Sequence, residues 1–468
     1  MQKKIIMLIT FRVANFLSFN EEEEFSMLAG KQRKPVRPAV PLATGVEALK
    51  LAVVYGANAS GKSNLVRSID FAKKMIVDGV KYTSTLTLND HFRLKQGSEN
   101  EFTKFEFEFT LKSKIYAYGF QVYLDRGEIL EEWLFEIKKT TQKPIFERIV
   151  RESTTTYMKS KPSLKGEEET RFTIYAQDVQ ANELLLNVLG EKLWDHGSFF
   201  SIFRNIHQWF KNRLFVIYPD SQSDIHNFFE SSPTELENMV FTGAMLKNLG
   251  TGISQIKIQE EDYQGKDTII EEMINRHKQA IKEGLGRFMA FNLIIDNKRY
   301  LFARNGNGKI ITYRILTKHD ATEEANDVFF DYQDESDGTK RLLDFIPFLK
   351  FLSVSGVTVV IDEIDRSLHP ELLHKIIEFY LESSRETNSQ LIVTTHESSL
   401  LDLSLLRRDE IWFVEKNKHG ESHLYSLEEF QPRFDKEIRK AYLQGRYGAI
   451  PFISDVQQLN WETANAEG

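Results

Sequence analysis

The residues with the most specific chemistry are Gly56-Ala57-Asn58-Ala59-Ser60-Gly61-Lys62-Ser63, which fit the pattern G-x-x-x-x-G-K-[ST]. Glycines let the backbone wrap around phosphates, and the N–H groups at the start of the following helix face the anion. Lys62 can reach the β- and γ-phosphates, and Ser63 can ligate magnesium. The pattern therefore predicts a site for ATP and Mg²⁺. The predicted nucleotide contacts in this segment are Gly56, Asn58, Ser60, Gly61, Lys62, Ser63 and Asn64.

Two adjacent carboxylates, Asp362 and Glu363, follow the hydrophobic run Thr358-Val359-Val360-Ile361. By itself an acidic pair after a strand most often begins an exposed loop, but the phosphate-binding pattern changes that weighting. At the carboxyl edge of a parallel sheet such residues lie near bound phosphates. We expect Asp362 to hold magnesium, directly or through water, and Glu363 to orient and deprotonate the attacking water.

A histidine, His396, ends the next hydrophobic run, Leu391-Ile392-Val393-Thr394-Thr395. Taken alone, such a residue is more often a structural hydrogen-bonding group than a catalytic one. Beside the phosphate-binding pattern and the acidic pair, it is suited to contact the γ-phosphate or its water. We therefore predict a catalytic role for His396 alongside Glu363.

A polar turn, Asp334-Glu335-Ser336-Asp337-Gly338-Thr339, opens a helix with an apolar face. Ser336 fits the N-cap position, and the exposed N–H groups at the helix start form a second anion-binding surface. An ordinary cap before an amphipathic helix explains the same residues about equally well. We predict that Ser336 and Gly338 contact nucleotide.

Hydrophobic periodicity predicts the strands and helices that must position these residues. Residues 51–55 predict a buried strand before the phosphate-binding loop, and a helix is predicted from Lys62 onward. Further strands are predicted at residues 7–13, 102–111, 115–124, 129–137, 144–150, 300–304, 309–316, 357–361, 390–394 and 410–415. Further helices are predicted at residues 179–189, 198–210, 234–249, 268–288 and 370–383. Residues 305–308, Asn-Gly-Asn-Gly, predict a hairpin turn.

This order of elements predicts an α/β fold with an antiparallel β subdomain and a helical insertion. We expect an N-terminal lobe at residues 1–177 that carries the phosphate-binding loop and a β meander. A mainly helical insertion is expected at residues 178–320. The C-terminal lobe, residues 321–468, would carry the Ser336 turn, the acidic pair and His396.

Composition excludes several other classes of protein. The 468 residues are 41% hydrophobic, which is enough for a substantial core and argues against wholesale disorder. The absence of cysteine excludes disulfides and thiolate chemistry. A net charge of −8 means that any DNA contact would have to use a local basic patch. No stretch approaches a membrane span, which argues against an integral membrane role. We expect a cytoplasmic location without a membrane, and a peripheral subunit docked on a membrane partner stays open.

The four chemical segments, in this order, resemble the ABC-type ATPase head of SMC, RecF and OLD proteins. The resemblance implies that Ser336-Asp337-Gly338-Thr339 is the signature turn, which closes over a triphosphate held by another subunit. It also implies a homodimer or higher homo-oligomer with ATP hydrolysis at sites between subunits. Residues 365–370, Asp-Arg-Ser-Leu-His-Pro, look like the dimer-contacting segment, and Gln96 is the candidate for the family's glutamine loop.

A narrower resemblance links the chain to bacterial AAA-annotated ATPases of abortive-infection and restriction-linked anti-phage defence. It rests on Asn15-Phe16-Leu17-Ser18-Phe19 near Phe25-Ser26-Met27-Leu28-Ala29-Gly30, and on Tyr55 together with the phosphate-binding loop that follows it. It also rests on Tyr442-Leu443-Gln444-Gly445-Arg446-Tyr447-Gly448-Ala449-Ile450-Pro451. The resemblance implies a sensor or scaffold subunit that controls a separately encoded effector, often a TOPRIM-like nuclease.

Two alternatives remain open from the sequence. One is a DNA-repair or recombination ATPase of the RecF/SMC kind, although the chain lacks long heptad arms. The other is a nucleotide-locked scaffold that sequesters a toxic partner and in which hydrolysis is incidental. A transporter ATPase subunit is less favoured, because transporter heads usually lack a large helical insertion.

Overall fold

The structure of the chain is a computed structural model. The structure describes residues 6–32, 36–42, 45–79, 90–151, 155–195, 197–219, 235–260, 290–295, 298–304, 310–319, 328–354, 356–430 and 438–449. Within these ranges, every helix is too short or too polar to span a membrane.

Strands and helices alternate unevenly along the chain. The strands, in chain order, are β1 (Leu8–Ala14), β2 (Glu23–Ser26), β3 (Val40–Pro41), β4 (Glu47–Ala48), β5 (Leu51–Tyr55), β6 (Thr103–Leu111), β7 (Lys114–Tyr123), β8 (Glu128–Ile137), β9 (Gln142–Arg151), β10 (Thr155–Ser160), β11 (Leu214–Ile217), β12 (Ile253–Glu260), β13 (Ala290–Ile295), β14 (Lys298–Arg304), β15 (Ile310–His319), β16 (Phe329–Asp331), β17 (Thr358–Ile361), β18 (Gln390–Thr395), β19 (Ile411–Lys416) and β20 (Ser422–Ser426). The α-helices are α1 (Lys62–Asp78), α2 (Glu167–Asp178), α3 (Leu185–Gly190), α4 (Ser201–Arg213), α5 (Glu235–Asn248), α6 (Asp337–Val354), α7 (Pro370–Ser383) and α8 (Ile438–Leu443).

A seven-stranded antiparallel sheet forms the β subdomain, in the order β10-β9-β8-β7-β6-β1-β2. Successive strands from β6 to β10 are neighbours, so the predicted meander is present, and β1 and β2 extend it at one side. In β6 buried residues alternate with half-buried ones over most of the strand. That alternation is typical of a strand with one face on a core.

The second sheet has six strands in the order β11-β17-β18-β5-β19-β20, and all neighbours except β19 and β20 are parallel. All residues of β5, β17 and β18 are buried, as expected for parallel strands covered on both faces. Because carboxyl ends of parallel strands meet at one edge, this sheet brings together the segments after β5, β17 and β18. Those segments carry the phosphate-binding loop, the acidic pair and His396.

Two hydrophobic cores lie on opposite faces of the six-stranded sheet. Ala52 and Val54 of β5 join the core shared with α1, α4 and the antiparallel sheet. Leu51, Val53 and Tyr55 join the other core, which is shared with α6 and α7. The predicted α/β fold with an antiparallel β subdomain is therefore confirmed, and the six-stranded sheet is its central layer.

Residues 178–320 are mixed rather than mainly helical in the part that the structure describes. Helices α3, α4 and α5 lie near three predicted helices, but β11 joins the six-stranded sheet as an edge strand. β12, β15, β14 and β13 form a third sheet, antiparallel, with β16 paired to β15. The predicted helix at 268–288 and the hairpin turn at 305–308 lie outside the described residues. The boundaries of the three segments stay a prediction.

Candidate functional site: a phosphate-binding loop at the carboxyl edge of the sheet

The predicted phosphate-binding loop connects β5 to α1. Ala59 and Gly61 both have positive φ values, 62° and 118°, which bend the loop tightly before the first helical residue, Lys62. The Ser60 N–H donates to the Ala57 carbonyl at 3.2 Å and closes the turn. The sequence folds this way because glycine tolerates the φ of residue 61 and the strand on one side and the helix on the other are both well anchored.

Gly56 is required at the start of the loop for a different reason. A Cβ placed there would lie 2.5 Å from the Ser60 hydroxyl and 2.6 Å from the Val414 carbonyl of the neighbouring strand β19. Neither atom can move away easily, because the Val414 atom is a backbone carbonyl oxygen and the Ser60 side chain is buried. The loop therefore lies against the sheet with no space for a side chain.

The loop leaves a set of backbone donors available for an anion. The N–H groups of Asn58, Ala59, Gly61, Lys62 and Ser63 make no hydrogen bond to any part of the chain that the structure describes. Clustered N–H groups at a glycine-rich turn and a helix N-terminus are a preformed binding site for phosphate. Four of the seven predicted contacts, Asn58, Gly61, Lys62 and Ser63, contribute such N–H groups, whereas the N–H groups of Ser60 and Asn64 donate to the Ala57 and Gly61 carbonyls. Nucleotide contact at these residues stays a prediction.

The Lys62 side chain folds back over the loop. Its Nζ donates to the carbonyl oxygens of Gly56 and Ala57, at 2.8 and 3.0 Å, and the residue is buried. Burial lowers the pKa of Lys62 to about 8, although the negative charges of Asp362, Asp365 and Glu363 act in the opposite direction. The ammonium is therefore held where an anion on the loop would restore its ordinary pKa.

The acidic pair follows the end of β17, the strand that pairs directly with β18. Asp362 is buried, and its N–H donates to the Ile217 carbonyl of β11 at 2.9 Å. The Thr394 hydroxyl donates to Asp362 Oδ1 at 2.6 Å and accepts from the Glu363 N–H at 2.8 Å. Thr394 thus fixes both acidic residues. No sequence pattern indicates that role, because a threonine inside a buried strand is typical of an ordinary β-former.

Glu363 and the loop behind it have an unusual backbone. Glu363 has φ 47° and Ser367 has φ 62°, a left-handed conformation that costs free energy for residues other than glycine. Such strain often occurs at functional sites, where the surrounding structure enforces it. The half-buried Glu363 side chain is thereby separated from the buried Asp362, which directs the two carboxylates to different positions.

No group of three or more His, Asp or Glu side chains that could hold a metal occurs among the described residues. The two predicted magnesium ligands, Ser63 and Asp362, would therefore need phosphate oxygens and water to complete an octahedral shell. Thr394 uses one carboxylate oxygen of Asp362 and leaves the other for the ion. The donor set fits magnesium bound together with a nucleotide.

His396 lies against the phosphate-binding loop. Its ring Nδ1 is 3.3 Å from Lys62 Nζ, and its backbone N–H donates to the Asp365 carboxylate at 3.3 Å. Partial burial, followed by the positive charge of Lys62, lowers the pKa of His396. An ammonium can only donate, so Nδ1 accepts from Lys62 and the ring proton is on Nε2. The neutral ring therefore presents Nε2–H as a donor.

The Ser336 turn opens α6 and packs on the segment that follows Glu363. Ser336 Oγ accepts from the Thr339 N–H at 3.2 Å, which is the predicted cap. A Cβ on Gly338 would lie 2.7 Å from the Ser367 carbonyl, so only glycine allows this approach. Ser336 itself is exposed. Its nucleotide contact stays a prediction.

Two other segments singled out in the sequence have defined positions. Tyr442 and Tyr447 stack on Phe413 of β19, with ring centroids 5.6 and 5.9 Å away. Tyr442 also lies 6.1 Å from the ring of Tyr55, the residue before the loop. Gln96 is exposed on the segment before β6, and its assignment to a glutamine loop stays a prediction.

Three solved structures of SMC heads show a distant similarity of shape. One is a SMC head bound to the C-winged helix domain of ScpA, with 12% identity over 90% of this chain and 97% of that chain and a TM-score of 0.36. A second, from Pyrococcus furiosus and bound to the C-terminal domain of ScpA, has 12% identity over 94% and 100% of the two chains and a TM-score of 0.33. The head from Thermotoga maritima has 14% identity over 90% and 98% and a TM-score of 0.30.

No curated protein matches the chain in sequence. Residues 51–402, by contrast, match the family model described as "AAA domain, putative AbiEii toxin, Type IV TA system". The matched range contains the phosphate-binding loop, the Ser336 turn, the acidic pair and His396. The chain therefore belongs to this family of AAA domains, as the abortive-infection resemblance of its sequence predicted.

Proposed function

We propose that this chain binds ATP with magnesium and hydrolyses it. The observation that carries the proposal is the loop between β5 and α1, whose N–H groups at Asn58, Ala59, Gly61 and Ser63 have no partner in the described chain. The buried Lys62 ammonium beside them adds the positive charge that a triphosphate requires. Membership of an AAA domain family supports the same activity.

Each site residue has a specific task in this proposal. The loop backbone and Lys62 bind the phosphates, while Ser63 and Asp362 hold magnesium, which neutralises charge on the phosphate oxygens. Glu363 orients and deprotonates the attacking water. His396 donates its Nε2–H toward the γ-phosphate or that water, and Thr394 keeps the Asp362 carboxylate in place.

We further propose that two copies of the chain share each hydrolysis site. Ser336 and Gly338 of one copy would contact the nucleotide that the loop of the other copy holds. The exposed position of Ser336 and the exposed side chain of Asp337 support this, because a helix N-terminus that faces water is free to meet a second anion. Hydrolysis would then require at least a homodimer.

In the cell, we propose a cytoplasmic sensor or scaffold in anti-phage defence. The family description names a toxin and a toxin–antitoxin system, which supports a role in controlling a toxic activity. The proposed target is a separately encoded effector, for example a TOPRIM-like nuclease. Nucleotide state would determine whether the effector is held or released.

The test is copurification of the chain with its genetic neighbours, followed by mass determination with and without ATP. We expect ATP to increase the mass by a whole number of subunits and to change the amount of bound effector. ATP turnover without any change in assembly or effector would refute the defence role while leaving the ATPase. Effector release that persists in a Glu363→Gln variant would favour the nucleotide-locked scaffold.

A second candidate function, a DNA-binding ATPase of the RecF/SMC kind, has one specific observation in its favour. Five exposed lysines lie at one end of the antiparallel sheet, and we call them the lysine end: Lys112, Lys114, Lys138, Lys139 and Lys143. The β6–β7 and β8–β9 turns meet there, because Ile115 pairs with Ile137. Of these five lysines, only Lys114 makes an ion pair within the described residues, with Glu136 at 3.0 Å. This is the local basic patch that an acidic protein would need for DNA.

Duplex binding would test this candidate. We expect a protein that uses the lysine end to bind duplex DNA without sequence preference and to lose affinity steeply with salt. Replacing Lys112, Lys138 and Lys139 together by glutamate should abolish this binding and leave ATP binding unchanged. Salt-insensitive or absent duplex binding by the unmodified protein would eliminate the candidate.

A further inference from the structure

Two buried serines from opposite ends of the chain meet beneath the phosphate-binding loop. Ser18 belongs to the Asn15-Phe16-Leu17-Ser18-Phe19 motif between β1 and β2, and Ser422 begins β20, 404 residues away. The Ser422 N–H donates to the Ser18 carbonyl at 2.8 Å, and their hydroxyls lie 2.8 Å apart. Neither serine belongs to the loop, and neither has a task in the proposed hydrolysis.

The two hydroxyls also contact the loop and α1. Asn64 Nδ2 donates to Ser18 Oγ at 2.7 Å, and Ser422 Oγ donates to the Ser60 carbonyl at 2.6 Å. Each hydroxyl has a single proton. Because the Ser422 proton is used on Ser60, the bond between the serines must carry the Ser18 proton. The result is one directed chain of hydrogen bonds, from Asn64 through Ser18 and Ser422 to the Ser60 carbonyl, which we call the serine relay.

The relay controls the orientation of one peptide group. In a trans peptide the C=O and the following N–H point in opposite directions, because the unit is planar. Fixing the Ser60 carbonyl on Ser422 therefore fixes the Gly61 N–H on the other side of the same plane. That N–H makes no hydrogen bond within the described chain, and it is one of the predicted phosphate donors.

The packing leaves the loop no alternative position at this point. A Cβ on Gly61 would lie 2.3 Å from Ser422 Oγ and 2.9 Å from Ser18 Oγ. The backbone of the loop thus rests directly on both hydroxyls. Asn20 Nδ2 donates to the Glu421 carboxylate at 2.8 Å and so joins the segment that contains Ser18 to the segment that contains Ser422.

We propose that Ser18 and Ser422 are positioning residues for nucleotide binding, which act by aiming the Gly61 N–H at the phosphates. This inference rests on the proposed function, because it concerns how the same loop binds ATP. It also gives the Asn15–Phe19 motif a task that its sequence does not reveal. The relay connects the antiparallel sheet, through β1, and the far edge of the central sheet, through β20, to the nucleotide.

The experiment compares Ser422→Ala, Ser18→Ala, the double variant and Ser426→Ala with the unmodified protein. Ser426 is a matched control, because it is a buried serine on the same strand whose hydroxyl accepts from the Glu428 N–H, away from the loop. Affinities for Mg·ATP and for inorganic tripolyphosphate are measured by calorimetry well below the unfolding temperature. Thermal unfolding is recorded without nucleotide for every variant.

We expect Ser422→Ala to weaken both ATP and tripolyphosphate by about tenfold, the scale of one hydrogen bond to a charged group. Equal losses for the two ligands identify the phosphates as the affected part. The double variant should lose little more than Ser422→Ala, because both serines act in one chain of bonds. Ser426→Ala should keep full affinity, even if its unfolding temperature falls as much.

Unchanged ATP affinity in Ser422→Ala, with clear binding by the unmodified protein, would overturn the relay and leave the proposed function intact. Losses that follow the unfolding temperature in all four variants, including Ser426→Ala, would also overturn it, since the serines would then be merely structural. No ATP binding by the unmodified protein would instead refute the proposed function itself.

Discussion

The phosphate-binding loop and the Ser336 turn both contain serine and glycine before a helix, but they differ in how far they are exposed to solvent. Both are glycine- and serine-containing turns that open a helix. In the loop, Ser60 and Lys62 are only 3% and 4% exposed, and side chains of Ser18, Ser422 and Asn64 support the backbone. In the turn, Ser336 is exposed and the Asp337 side chain is 87% exposed.

The difference in exposure separates the loop, whose residues are covered by their own chain, from the Ser336 turn, whose tip is uncovered. The loop is held on several sides by its own chain, so the anion site proposed there needs no residue from a second copy. The Ser336 turn is held through the residues that flank its tip. Glu335 accepts from Thr317 and His319 of β15, Gly338 lies on the Ser367 carbonyl, and Arg341 of α6 donates to the Pro219 carbonyl at 3.2 Å. Its tip, at Ser336 and Asp337, is exposed, and there we expect the contact with a second molecule.

The largest effect should follow from removing the loop's charge. We expect Lys62→Ala to lower ATP affinity by roughly a thousandfold, because loss of one partner from a buried charge pair costs about 4 kcal/mol. Calorimetry with Mg·ATP measures this directly. Unchanged affinity would mean that the loop is not the nucleotide site and that its likeness to the Ser336 turn has no functional meaning.

The Ser336 turn should fail in a different way. We expect Ser336→Arg to reduce turnover to background while ATP affinity stays within about twofold of the unmodified protein, because the bulky cation obstructs only the second surface. Ser336→Thr is the matched control, since it keeps the hydroxyl that caps Thr339. Turnover at the unmodified level in Ser336→Arg would contradict a shared site.

Mixing the two variants makes the comparison sharper. In a mixed dimer of Ser336→Arg and Lys62→Ala, one shared site carries both lesions and the other carries neither. Turnover should therefore reappear on mixing, at no more than about a quarter of the unmodified rate when random pairing makes half the dimers mixed. Absence of any recovery, with dimers present, would place loop and turn in independent sites.

A substitution at Glu363 should affect ATP hydrolysis without affecting ATP binding by the same chain. We expect Glu363→Gln to bind ATP normally and to lower turnover by roughly 10²-fold, as when a group acting on the attacking water is removed. Single-turnover measurements distinguish slow chemistry from slow product release. Full turnover would shift the role of base to another group, with Asp365 and His396 the next candidates.

How much of this the sequence predicted depends on the range of the interactions. The phosphate-binding loop, the acidic pair and His396 follow local patterns next to buried strands, and the sheet brings them to one edge as expected. Thr394 and Ser422 could not be found, because their roles come from contacts with residues distant in sequence. β11 was missed for a similar reason: four apolar residues after a helix acquire strand structure only by pairing with β17.

The smallest expected effect is a pH dependence that belongs to the loop alone. Burial lowers the pKa of Lys62 to about 8 in the free protein, and a bound triphosphate should raise it. The charged form binds the anion, so ATP affinity should be constant below pH 8 and fall above it, by at most tenfold per pH unit. Calorimetry between pH 7 and 9.5 checks this range, in which the phosphates themselves are already ionised.

Lys62→Arg is the control for that titration, because its guanidinium stays charged throughout the range. Its affinity should be weaker, since an arginine does not fit the lysine's place over the Gly56 and Ala57 carbonyls, but it should not change between pH 7 and 9.5. A shared effect of pH on both proteins would point to another group. Constant affinity in the unmodified protein would mean that Lys62 keeps its charge without nucleotide, and that the loop's carbonyls and nearby carboxylates offset its burial.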